Sequence, residues 1–90
     1  NESVLSLGDF TINIEDNKKL IMKVSVKSDS KSIEAMLNHQ AVVRNIVIKS
    51  VTNSRRFDQH TLSKKIISDI NRALPHESIE EIYFEKFLVQ

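Results

Sequence analysis

Two runs of alternating apolar and polar residues, separated by a short polar break, constrain this chain more than any other feature. Phe10, Ile12 and Ile14 alternate with Asp9, Thr11, Asn13 and Glu15. After Asp16-Asn17-Lys18, the alternation resumes with Leu20, Met22, Val24 and Val26 set against Lys19, Lys23, Ser25 and Lys27. A period of two is the signature of a half-buried strand, because successive side chains on a strand point to opposite faces. The two runs therefore predict a β-hairpin with one dry face and one wet face. Ile21 stands on the wet side, where a lone apolar residue needs no special account.

The pattern then changes to helical spacing. Ser28-Asp29-Ser30 has the short polar side chains that favour turns and helix N-caps, and Ile33, Met36, Leu37 and Ala41 follow three and four residues apart. A first helix is expected to begin near Lys31. From Val42 to Val51 the residues fit two patterns: Val43, Ile46, Val47 and Val51 make a helical stripe, while Val43, Val47 and Val51 also fit strand alternation with Asn45 and Lys49. The β-branched residues favour a strand, but no Gly or Pro separates the stretch from the helix before it, which favours a helix. Thr52-Asn53-Ser54-Arg55-Arg56 makes a polar loop. Asp58 is placed to cap a third helix with a buried stripe of Leu62, Ile66, Ile70, Ala73 and Leu74, and Pro75 ends it.

The last run, Ile79 to Val89, is rich in β-branched and aromatic residues. Simple alternation puts Ile82, Phe84 and Leu88 on one face and Tyr83, Phe87 and Val89 on the other, so a strand covered on both sides is expected. The order is strand, strand, helix, helix, helix, strand, with no internal repeat and no linker. It predicts an α/β domain of the α+β type, with a small mixed or antiparallel sheet and its helices packed on one face.

Composition limits what such a domain can do. A chain of 90 residues supports one core, burying roughly 60 to 65% of its unfolded surface. Thirteen Lys and Arg against twelve Asp and Glu leave no dense basic footprint, so nucleic acid is an unsuitable ligand. Arg55-Arg56 and Lys64-Lys65 are the tightest basic clusters, and short runs of this kind are usually solvated surface. Without cysteine there is no disulfide framework and no thiolate metal site. The longest apolar runs are three residues, against the roughly 20 that cross a bilayer. The chain starts at Asn1 and has no methionine before Met22, so a fragment or a processed chain is expected, with any signal or anchor upstream.

The residue sets that enzymes need are sparse. Gly8 is the only glycine, which removes Gly-rich phosphate loops and makes a nucleophile elbow hard to build. His39, His60 and His76 lie 21 and 16 residues apart, a spacing that matches no metal-ligand motif. Glu80, Glu81 and Glu85 form the one acidic cluster near an aromatic strand, but Glu80 and Glu81, as neighbours on a strand, cannot share a site. Such charges commonly protect sheet edges. No catalytic residue, metal ligand or cofactor is therefore expected.

A resemblance gives more. The terminal run Ile82-Tyr83-Phe84-Glu85-Lys86-Phe87-Leu88-Val89-Gln90 resembles the ending of the flagellar basal-body FliL family: a Tyr-Phe pair, two variable residues, Phe, two aliphatics and Gln. Leu7-Gly8-Asp9-Phe10-Thr11-Ile12-Asn13-Ile14 is similar to the family's opening strand, with Leu20 to Val26 as its partner. Arg44-Asn45-Ile46-Val47 stands where the family has Arg-Asp and aliphatics leading into a helix, which resolves that stretch as helix. Asn45 departs from the usual acidic residue. Ile70-Asn71 and Leu74 resemble the next helix.

The resemblance implies a stomatin/prohibitin-like fold over residues 1–90. It implies a single periplasmic domain of a single-pass inner-membrane protein, held through an N-terminal transmembrane helix upstream. The implied function is that of a non-enzymatic scaffold forming a homo-oligomeric ring around the flagellar stator proteins MotA and MotB and supporting torque and motility. Alternation makes Tyr83, Phe87 and Val89 the expected apolar contact strip, the alternative being that the chain's own Val4 and Leu5 cover it, with Arg55 and Arg56 as further candidate interface residues. The alternative from a different class is a small nucleic-acid-binding α/β module. KH domains come nearest in size, but the Gly-x-x-Gly loop they use to clamp the backbone is absent.

Overall fold

A computed structural model of the chain describes residues 1–76 and 78–90. The elements are β1 (Glu2–Ile14), β2 (Lys18–Asp29), α1 (Ser30–Leu37), α2 (Gln40–Thr52), α3 (Gln59–Ala73) and β3 (Glu81–Val89). The three strands form one antiparallel sheet in the order β1-β2-β3, so the strand from the C-terminal end returns to pair beside the hairpin. This is an α+β fold with the expected element order.

The hairpin turns through Asp16 and Asn17, both with positive φ (63° and 59°). Lys18 N–H donates to the Glu15 carbonyl at 3.3 Å to close the turn. Two consecutive left-handed residues suit the right-handed twist of the flanking strands, and Asp and Asn tolerate that conformation best among residues with a side chain. Asp29 caps α1 by accepting from Ser32 N–H at 2.8 Å, and Asp58 caps α3 by accepting from Thr61 N–H at 2.7 Å. Those helix N–H groups hold both carboxyls below the ordinary carboxylate range, because they favour the ionised acceptor.

The core lies between one sheet face and the helices. Leu20, Met22, Val24 and Val26 of β2 are wholly buried, as are Val43, Val47 and Val51 of α2 and Leu62, Ile66 and Ile70 of α3. Each helical set recurs every fourth residue, so each helix buries one narrow stripe. The two stripes meet, and Ser50 and Asp69 bond across the seam at 2.6 Å. The first helix is shorter than the spacing implied. The chain turns at Asn38 and His39, so Ala41 belongs to α2, and Leu37 and Ala41 are both exposed. Ala73 is likewise exposed and Leu74 only half-buried.

Two register shifts shape the sheet. On β1, Ser6 opposes Ser25 and Gly8 opposes Val24, leaving Leu7 as an extra residue; on β3, Lys86 opposes Lys23 and Phe84 opposes Val24, leaving Glu85 as an extra residue. A β-bulge of this kind inverts the facing of every residue beyond it. Ile82 and Phe84 lie over Val26 and Val24 on the helix side, and beyond Glu85 so do Phe87 and Val89, opposite Met22 and Leu20. The expected strip of Tyr83, Phe87 and Val89 does not exist as one face. Nor is β3 covered on both sides: its residues are half-buried or exposed, and on the helix side Ile82, Phe84 and Phe87 pack on the core margin while Val89 is exposed.

Candidate functional site

With two bulges in place, the molecule has a helix-covered face and an open face. The open face carries Ile21, Lys23, Ser25 and Lys27 from β2, flanked by their partners from the outer strands. Its centre is an ionic lattice. Lys27 Nζ lies 3.1 Å from a Glu2 oxygen and 4.0 Å from a Glu81 oxygen, and Lys23 Nζ lies 3.9 Å from Glu85. Tyr83 donates its hydroxyl to Glu81 at 2.6 Å. The bond to Glu2 raises the Lys27 pKa, and the bond to Glu81 raises that of Tyr83, since each favours the protonated form. Glu85 also accepts from the buried Ser25 hydroxyl, so the bulge residue folds back over the open face.

Apolar side chains stand in this lattice. Tyr83 and Leu88 are 40% and 44% exposed and Val4 is 59% exposed. Ile21 and Leu88 are direct cross-strand partners, so Ile21 is part of a pair and not an isolated residue. The sequence pattern missed Leu88 as an open-face residue because the Glu85 bulge is invisible to simple alternation.

The other candidate interface residues are scattered. Phe87 stacks edge to face on Phe84, ring centroids 5.2 Å apart, and both pack against the core. Val89 lines a groove at the hairpin tip together with Ile14, Phe57 and Arg56. Arg56 pairs with Asp58 at 3.5 Å, and Arg55 is exposed in the same loop. Arg56 thus shares a groove with Val89, and neither Arg55 nor Tyr83 lines it.

The acidic and imidazole groups have structural or solvated settings. Glu81 and Glu85 serve the open-face lattice, and His39, His60 and His76 are all exposed. Among the described residues, no three metal-ligating side chains converge. Asp69 has a dense local network: burial pushes its pKa up, but the Ser50 hydroxyl, Lys65 at 3.1 Å and Arg72 outweigh this and hold it low. It ties α2 to α3.

The residues that gave the chain its resemblance are those that fix its irregular geometry. Gly8 follows the β1 bulge with φ +83°, a backbone conformation that costs a residue with a Cβ about 1–2 kcal/mol. Arg44 reaches from α2 across it, donating to the carbonyls of Leu7 and Asp9. Asn71 exchanges both its amide groups with Ile79, accepting from the N–H at 2.8 Å and donating to the carbonyl at 3.2 Å, which fastens the start of β3 to α3.

Comparison with curated proteins returns no match. The sequence pattern of one family, described as flagellar basal body-associated protein FliL, matches residues 4–90. A match from the first hairpin strand to the last residue takes in the bulge glycine, its arginine clamp, the Asn71 clasp and the terminal strand, and on that ground the chain belongs to the FliL family of flagellar basal-body proteins.

Proposed function

We propose that this domain is a non-enzymatic scaffold of the bacterial flagellar motor that self-associates into a ring around the stator and supports torque. Family membership over residues 4–90 is the observation that carries the reading, since it gives a flagellar motor-associated role. The finer reading has the domain in the periplasm, its subunits confined to a plane by a membrane anchor preceding Asn1, with MotA and MotB as partners and a stomatin/prohibitin-like fold.

The geometry supports a contact protein. Among the described residues no element covers the open sheet face, which mixes ion pairs with exposed Tyr83, Leu88 and Val4. Such a composition, apolar anchors in a polar surround, is that of a protein interface more than of a substrate pocket. The groove at the hairpin tip is lined by charges of both signs and the one beside Phe10 by Arg44 alone, and among the described residues neither gathers a metal-ligating cluster.

The test is genetic and biochemical. Deleting the gene should reduce swimming or swarming while leaving filaments assembled. The anchored protein should co-purify with MotA and MotB. Normal motility in the deletion strain, together with no stator proteins in the purified complex, would overturn the reading.

A further inference from the structure

We propose that copies of this chain join edge to edge, with β3 of one subunit parallel to β1 of the next and Lys86 beside Asp9. This rests on the self-association reading above and specifies the contact that produces it.

The backbone groups left free at the two sheet edges limit how copies can join. Even-numbered residues of β2 from Leu20 to Val26 face the helices and the odd-numbered ones face the open side. Lys19 and Gln90 exchange both backbone hydrogen bonds, and Glu80 N–H donates to the Lys27 carbonyl. Along an antiparallel strand the N–H and C=O groups point alternately to the two neighbours. Odd residues of β2 therefore bond to β3, and even residues bond to β1. Through the observed register, the free edge of β1 presents the backbone of open-side residues Thr11 and Asn13, with Asp9 next in line, whose carbonyl already accepts one bond from Arg44 and keeps a second lone pair. The free edge of β3 presents that of helix-side residues Phe87 and Val89.

This difference dictates how the edges can meet. Antiparallel pairing sets free-edge residues opposite each other with side chains on the same face; parallel pairing sets a free-edge residue beside one that bonds inward. Joining β3 to a neighbour's β1 keeps all helices on one side only if the strands run parallel. The matching stretches are Asp9 to Asn13 and Lys86 to Gln90, which lie beyond both bulges. The contact is head to tail, the kind that propagates to a ring or filament and does not stop at a dimer.

Charge selects this pairing over the twofold alternatives. Asp9, Lys23 and Lys86 stand at one level of the sheet, with the two lysines directly opposed. Like charges in that position are unfavourable. Glu85 answers Lys23, but among the described residues neither Asp9 nor Lys86 has an ion-pair partner. Head-to-tail joining brings these two opposite charges together on the open side. A twofold β1–β1 contact would instead gather aspartates, and a β3–β3 contact lysines.

The absence of cysteine makes disulfide trapping free of background. Adjacent strands lie about 4.8 Å apart, within the Cα separation that a disulfide spans. Asp9→Cys and Lys86→Cys chains, mixed and mildly oxidised, should give a cross-linked heterodimer several-fold in excess of either homodimer. The chain carrying both substitutions should give a ladder of dimer, trimer and higher species. Predominant Asp9→Cys or Lys86→Cys homodimers, or no disulfide at all, would overturn the proposed contact. An amine-reactive cross-linker applied to the unaltered chain separates the two levels of the reading. Oligomers without the 9–86 disulfide overturn only this contact, whereas no oligomers by either method overturn self-association as well.

Discussion

The guanidinium carbon of Arg44 sits 4.0 Å over the ring of Phe10 while its nitrogens hold the Leu7 and Asp9 carbonyls, so one side chain from α2 satisfies the β1 bulge from above. A bulge leaves backbone acceptors without ladder partners, and a planar cation with several donors can serve two carbonyls and an aromatic face at once. Lysine has the charge but not the fork. We predict that Arg44→Lys costs about 1–2 kcal/mol and Arg44→Ala about 2–3 kcal/mol of unfolding free energy, read from urea midpoints. Equal stability of the two variants and the parent would show that the bulge does not depend on Arg44.

Gly8 is the other half of that device. Gly8→Ala is expected to cost about 1–2 kcal/mol from its positive φ. A Cβ there would lie 3.4 Å from Arg44 Nη1, close to ordinary contact, so the strain is in the backbone and not in a clash. The cost should therefore persist in an Arg44→Ala background, which a double-mutant cycle measures.

Phe87 and Tyr83, four residues apart in one strand, should respond oppositely. Phe87→Glu puts a charge against the core margin and Phe84 and should destabilise the domain by about 2–4 kcal/mol. Tyr83→Ala on the open face should cost about 1 kcal/mol or less. Thermal melts followed by circular dichroism read both. A Phe87→Glu variant as stable as Tyr83→Ala would mean that the β3 bulge is wrongly placed.

Asp69 should give the domain an acid-sensitive seam. Its folded pKa lies below that of the unfolded chain, because Ser50, Lys65 and Arg72 together outweigh burial. The unfolded chain thus takes up the proton first on acidification, so this stabilisation is fully present above an unfolded carboxylate pKa of about 4 and is lost as pH falls through the lower folded value. Asp29 and Asp58 act in the same direction. Asp69→Asn should lower stability at neutral pH and flatten its fall below about pH 4. Denaturant titrations at several pH values check this, and an acid slope identical to that of the parent would rule Asp69 out.

The isolated domain should associate weakly. Edge contacts of a few residue pairs are small, and an anchor that holds subunits in one plane supplies effective concentration that free solution lacks. Sedimentation velocity is expected to show mostly monomer, and a closed ring at micromolar concentration without any anchor would contradict this.

By itself the sequence determined what depends on near neighbours. Alternation marked the hairpin from Phe10 to Val26, Asp58 marked the start of α3, and fourth-residue repeats marked the stripes of α2 and α3, because strand and helix periodicity are written in adjacent residues. The Arg44-Asn45 and terminal Tyr-Phe patterns brought out the FliL family, although what Arg44 touches could not be read from them. Only the tertiary structure decided where the strands slip. Whether Leu7 and Glu85 are paired or extra depends on which β2 residue lies opposite, and that is set by helices packing across the whole sheet. Each slip reverses every later side chain, which is why Phe87 and Val89 joined the helix side, Leu88 joined Tyr83 on the open face, and the apolar strip read from alternation separated into two.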